Sequence, residues 1–87
     1  MPSLLDTLEW PLQTARVVAR LTNRLRVARS ERGLSQSELA AMAGVTRQTI
    51  SSIETGQYCP SALLAFVIAK RLGARVDALF TLEGDEP

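Results

Sequence analysis

The chain has 87 residues, 46% of them hydrophobic, and a formal net charge of +1, which makes it one small domain near the size at which a single core suffices without staples. Histidine is absent and Cys59 is the one cysteine, so no internal disulfide, no His/Cys zinc site and no histidine acid–base chemistry can be built. No cofactor is expected, and no catalytic constellation can be drawn. The longest apolar run, Ala62 to Ala69, is too short to cross a bilayer, so no membrane partner is expected. The opening "MPSLLDTLEW" lacks a basic n-region, which points to a cytoplasmic location.

The charge is polarised along the chain. Residues 16–32 carry Arg16, Arg20, Arg24, Arg26, Arg29 and Arg32 against Glu31, whereas residues 76–87 carry Asp77, Glu83, Asp85 and Glu86 and no base. A nearly neutral chain can therefore present a basic face. Nine of the ten bases are arginine, which suits phosphate contacts and equally fits a GC-rich coding genome.

Pro11 is well placed to open a helix, and Val18, Leu21, Leu25 and Ala28 follow as a stripe at spacings of three and four. One long helix to Arg32 accounts for the stripe; a break near Thr22, with Thr as a cap, is the alternative. After Gly33, Ser35 and Glu38 form a capping box, so a second helix starts at Gln36. Leu39, Met42 and Ala43 give it an inner face, and Gly44 stops it. Thr46 caps a third helix that runs to Thr55 and stops at Gly56. "QYCP" is a loop, under which Tyr58 and Cys59 are expected to pack. Ser61 caps a fourth helix ending at Gly73, with Leu63, Leu64, Phe66, Val67, Ile68 and Leu72 around most of its circumference, as on a helix buried on several sides. "VDALF" makes a short fifth helix, and "TLEGDEP" is a tail.

Two short helices joined through a glycine, the second with a polar cap, have the form of a helix-turn-helix. Projected at about 100° per residue from Val45, the residues Thr46, Thr49, Ile50 and Ile53 fall between about 40° and 140°. Arg47, Gln48, Ser51, Ser52 and Thr55 fall between about 200° and 340°. The outward set holds the side chains that read base edges: arginine for guanine, glutamine for adenine, serine for either. A solvated helix face is the competing reading.

From about Asn23 to Phe80 the chain resembles the Xre/Cro-type helix-turn-helix family of phage-repressor-like transcription regulators. The resemblance rests on "LRVARSERGLSQSELAAMAGVTRQTISSIETGQYCPS" followed by "LAFVIAKRLG". It implies an all-α fold: a five-helix phage-repressor-like helix-turn-helix domain with an additional N-terminal helical segment. Residues 1–22 are then an apolar and basic extension, 23–80 the DNA-binding domain, and 81–87 an acidic tail.

The resemblance also implies roles. Arg47 and Gln48 match positions that reach base edges or flanking phosphates, and Ser52 matches a base-reading position where many relatives carry a longer side chain. Ser51, on the same face, is expected to read a base edge or to touch the backbone. Gln36 matches a glutamine that touches a phosphate and braces the reading helix. Thr46 is a cap and a phosphate donor, and the stretch around Thr55 and Gln57 matches a loop that grips the DNA backbone. Arg29 and Glu54 match a structural ion pair. The implied function is a sequence-specific regulator, a repressor, that binds an inverted-repeat operator on double-stranded DNA as a homodimer through the helix 46–55.

Residues 1–22 contain Leu4, Leu5, Leu8, Trp10, Leu12, Val17 and Val18, too apolar for a solvated tail. An arm that packs on a second copy, a segment that folds back, and a start-site artefact are the readings of it. Arg16, Arg20 and Arg24, four apart on the expected helix, would repel one another unless phosphate or an acidic partner relieved them. The alternative function is an antitoxin or protein-interaction module whose N-terminal segment binds a partner protein.

Overall fold

Asn23 marks where extended chain becomes helix. Its side-chain carbonyl accepts the N–H of Leu25 at 3.1 Å, a local bond that competes with helix and turns the chain. The computed structural model of the protein describes residues 20–84. They form a strand β1 (Arg20–Asn23), helices α1 (Leu25–Glu31), α2 (Gln36–Ala43), α3 (Arg47–Glu54), α4 (Ala62–Leu72) and α5 (Val76–Leu79), and a second strand β2 (Phe80–Glu83).

The local signals set the helix ends. Ser35 and Glu38 form both bonds of a capping box on α2, and the hydroxyls of Thr46 and Ser61 accept the N–H groups of Thr49 and Leu64 on α3 and α4. Gly44 turns between α2 and α3 at φ 75°, a left-handed conformation that costs other residues about 1–2 kcal/mol.

Leu25, Leu39, Ile50, Ile53, Ile68 and Leu79 are fully buried, one or two from every helix. Burial of each such side chain contributes about 1.5–3 kcal/mol relative to exposure, so this cluster holds α3 against the rest of the domain. Phe80 closes it from β2.

The strands correct the all-α expectation. β1 pairs antiparallel with β2, in the register Arg20↔Glu83, Leu21↔Leu82, Thr22↔Thr81 and Asn23↔Phe80. Leu21 therefore continues the apolar stripe from a strand, with Leu25 and Ala28 on α1. Neither the long helix through Thr22 nor a threonine cap there is formed, because an antiparallel partner from the far end of the chain satisfies this backbone. The "VDALF" helix stops at Leu79, and Thr81–Glu83, expected in a tail, belong to the sheet. The boundaries expected at 22/23 and 80/81 both cut through this sheet. The helix expected from Pro11, the rest of the N-terminal arm with Arg16, and residues 85–87 lie outside the described residues. Arg20, on a strand beside Glu83, is not part of a helical arginine row.

Two apolar readings also change. Met42 is 39% exposed, and Ala40 takes its place on the inner face of α2 with Leu39 and Ala43. On α4, Ala65, Ile68, Ala69 and Leu72 are buried, while Leu63 and Phe66 are 76% and 62% exposed. The helix is apolar all round but packed on one side.

Candidate nucleic-acid interface

The end of α3 is held by three elements. Arg29 of α1 donates from Nε to Glu54 Oε2 at 2.7 Å and from Nη2 to Oε1 at 3.2 Å, and its Nη1 donates to the Leu34 carbonyl at 2.7 Å. Gln36, first residue of α2, donates its amide to Glu54 Oε1 at 3.0 Å. Asn23 of β1 donates to the Ile53 carbonyl at 2.9 Å, a second donor on a C-terminal carbonyl that also accepts the Gly56 N–H. The Glu54 side chain is only 4% exposed. Burial pushes its carboxyl up, but the bonds from Arg29 and Gln36 outweigh this and hold it below its ordinary value of 4.5. The same pairing raises the Arg29 guanidinium. Among the described residues no buried side-chain nitrogen or oxygen lacks a partner.

With its end and inner face fixed, α3 turns its other side to solvent. Arg47 and Gln48 are exposed, and Ser51 and Ser52 are half-buried. Gln48 donates its side-chain amide to Ser52 Oγ at 3.1 Å. Thr46 is exposed at the helix start with its hydroxyl engaged by the Thr49 N–H and 3.0 Å from the Thr49 hydroxyl. The backbone N–H groups of Arg47 and Gln48 open the helix, where no intrahelical acceptor exists and the positive end of the macrodipole favours an anion.

The loop after α3 has its backbone donors turned inward. The N–H groups of Thr55, Gly56, Gln57 and Tyr58 bond to carbonyls of Ser51, Ile53, Ser52 and Ser52. The Thr55 hydroxyl also points back, toward the Ser51 and Ser52 carbonyls. The side-chain amide of exposed Gln57 is thus one donor that this loop offers to solvent, beside the hydroxyl of half-exposed Tyr58. Tyr58 is 45% exposed and Cys59 is exposed, so neither packs under the loop; Pro60, which follows, is buried.

Not every arginine of the basic stretch faces outward. Arg32 donates to the Leu72 and Ala28 carbonyls at 2.6 and 2.7 Å, tying α1 to the end of α4, and Arg29 is spent on Glu54. Arg24 and Arg26 remain exposed. The bracing role of Asn23 and the Arg32 tie carry no sequence signal, since each joins residues thirty or more positions apart. Among the described residues no group of histidine, cysteine or carboxylate side chains could hold a metal ion, and no helix is long and apolar enough to cross a membrane.

The domain matches the family described as Helix-turn-helix (HTH_3) over residues 25–79, α1 through α5. An uncharacterized HTH-type transcriptional regulator of Methanocaldococcus jannaschii is 46% identical over 66 residues, which are 76% of this chain and all of that protein. A second uncharacterized HTH-type transcriptional regulator, from Methanothermobacter thermautotrophicus, is 48% identical over 70% of this chain and 90% of its own length. Among solved structures, the restriction-modification controller protein C.AhdI of Aeromonas hydrophila superposes with a TM-score of 0.61 at 33% identity, covering 63% of this chain and 80% of that one. A putative DNA-binding protein of Bacteroides fragilis shares the fold at a TM-score of 0.66 and 24% identity, over 70% of this chain and 98% of its own. With an identity near one half to whole relatives and a match running from Leu25 to Leu79, the chain belongs to the helix-turn-helix family HTH_3, of the Xre/Cro type.

Proposed function

We propose that the protein is a DNA-binding transcriptional regulator that represses by occupying an inverted-repeat operator as a homodimer. The observation that carries this reading is the outward face of α3, where Arg47, Gln48, Ser51 and Ser52 stand together on a helix whose opposite face and C-terminal end are fixed. In the proposed complex α3 enters the major groove with its first turns against the base edges. Arg47 and Gln48 reach bases, and Ser51 and Ser52 are short enough to let the helix sit deep. Thr46, the N–H groups that open α2 and α3, and the side chains of Gln36 and Gln57 meet phosphates on either side. Thr55 serves chiefly to close the helix end, given where its hydroxyl points.

A single module of this size covers one half-site, and paired half-sites about one helical turn apart need two copies. The exposed Leu63 and Phe66 face of α4 supports self-association, since adjacent large apolar side chains are unfavourable in water and are covered in an assembly. Of the N-terminal arm 1–22, the part that precedes β1 is the other device proposed for pairing, since Arg20 to Thr22 pair with β2 of the same chain. A protein partner for that segment, as in an antitoxin, would use the same domain for DNA.

The test is retention of genomic fragments by the purified full chain, compared with Arg47→Ala and Gln48→Ala. An inverted repeat enriched by the wild type and lost or relaxed in the variants is the expected result. Salt-sensitive retention of all fragments alike, unchanged by either substitution, would show that charge binds DNA without α3 reading it.

A further inference from the structure

The outward face of α3 contains one side-chain bond within itself. Gln48 Nε2 donates to Ser52 Oγ at 3.1 Å, one helical turn away. Residues four apart on a helix are neighbours on its surface, so the bond needs no distortion. A free glutamine has two amide donors, one carbonyl acceptor and several rotamers. Bonded this way it keeps one N–H and the carbonyl Oε1 for a partner, held in one orientation.

That remaining pair discriminates between bases. Adenine offers an N6 amino donor and an N7 acceptor in the major groove, which one N–H and one carbonyl answer together. Guanine offers two acceptors, O6 and N7, which the carbonyl cannot answer. Ordering the amide before binding also removes part of the rotamer entropy a long polar side chain loses at an interface.

We infer that Ser52 is a positioning residue for base recognition: its hydroxyl accepts one amide hydrogen of Gln48 and so commits Gln48 to adenine, and Ser52 itself reads no base. This rests on the proposed function, in which α3 reads DNA. It assigns the two residues one base pair between them rather than one each.

The experiment is selection from a random duplex library with the full chain, followed by affinity measurements on the selected site with every base at each position. Gln48→Ala, Ser52→Ala, the double variant and Ser52→Thr are compared. Thermal unfolding of each confirms that the fold is retained. Ser52→Ala is expected to lower the preference for adenine by roughly three- to tenfold, the size of one lost hydrogen bond, at the same base pair that Gln48→Ala relaxes. In the Gln48→Ala background the serine substitution should have no further effect, and Ser52→Thr, which keeps the hydroxyl, should retain the preference.

Three results would overturn the inference while leaving α3 as the reader. These are relaxation by Ser52→Ala at a different base pair, additive effects in the double variant, and a Ser52→Ala profile identical to wild type when Gln48→Ala relaxes one. If no site is selected, or Gln48→Ala leaves every preference intact, the reading of α3 on which the inference rests falls with it.

Discussion

The helices α3 and α4 begin alike and end by facing different surroundings. Each is capped by a hydroxyl that accepts the N–H three residues on, and each buries isoleucine in the same core. Outward, α3 carries Arg47, Gln48, Ser51 and Ser52, whereas α4 carries Leu63 and Phe66. The first surface is made of hydrogen-bonding groups that lose little in water and gain a partner's edges. The second loses free energy in water at every exposed methylene. One domain therefore holds two surfaces of opposite chemistry on a common core; in the proposed function the first meets DNA and the second a second copy.

Changes to that common core should erase the difference. Ile53→Ala and Ile68→Ala are each expected to cost about 2–5 kcal/mol, a large share of the stability of so small a domain. Urea unfolding should show similar losses for both, with DNA binding and self-association failing together. If one function survived a well-populated unfolded state while the other failed, the two surfaces would not share a core.

The Glu54 hub belongs to α3 alone. Glu54→Gln leaves the Arg29 guanidinium without its charge partner in a shielded site, expected to cost about 3 kcal/mol. The pH dependence follows from the same contact. The Glu54 carboxyl titrates lower in the folded chain than in the unfolded one. Its contribution is therefore present in full above its ordinary value of 4.5 and is lost as pH falls toward and through the lowered folded value. Stability measured from pH 6 to pH 3 should fall less steeply in Glu54→Gln than in the wild type. Parallel curves would mean that the hub does not hold α3.

The caps offer a matched pair. Thr46→Ala and Ser61→Ala should each cost about 1 kcal/mol, read as a shift in urea midpoint with an unchanged slope. DNA affinity should fall further for Thr46→Ala, because that cap stands beside the reading face.

Smallest in stability are Leu63→Glu and Phe66→Glu, expected to change folding of the single chain by no more than about 0.5 kcal/mol. Sedimentation equilibrium should nevertheless show them monomeric where the wild type pairs. A wild type that stays monomeric at high concentration would remove the α4 face from the account.

How far the sequence foretold this arrangement depends on the range of each contact. Caps and glycine stops act over three or four residues, so Ser35 with Glu38, Thr46, Ser61 and Gly44 marked their helix ends correctly. Leu21 misled because it suits two periods at once: four before Leu25 on a helix, and two before Asn23 on a strand. What decided for the strand was "FTLE", some sixty positions away, whose pairing leaves no local trace. Periodicity on α4 had a similar blind spot. A helix apolar on all sides does not reveal which side lacks a neighbour, so Leu63 and Phe66 read as core. At the candidate interface, projection separated inward Ile50 and Ile53 from outward Arg47 and Gln48, but it put Thr46 on the inward arc, where the helix start leaves it exposed. The inward turn of the loop donors and the Gln48–Ser52 bond depend on backbone and rotamer geometry that leaves no sequence trace.

The most direct test of two surfaces on one core is a titration of ¹⁵N-labelled full chain with the selected duplex, followed by amide chemical shifts. The expected result is perturbation concentrated at Gln36, at Thr46 to Ser52 and at Gln57, with Ala62 to Phe66 unchanged between free dimer and complex. Perturbation centred on α4, or spread evenly over Arg24, Arg26, Arg71 and Arg75 with α3 silent, would contradict the assignment of α3 as the surface that reads DNA.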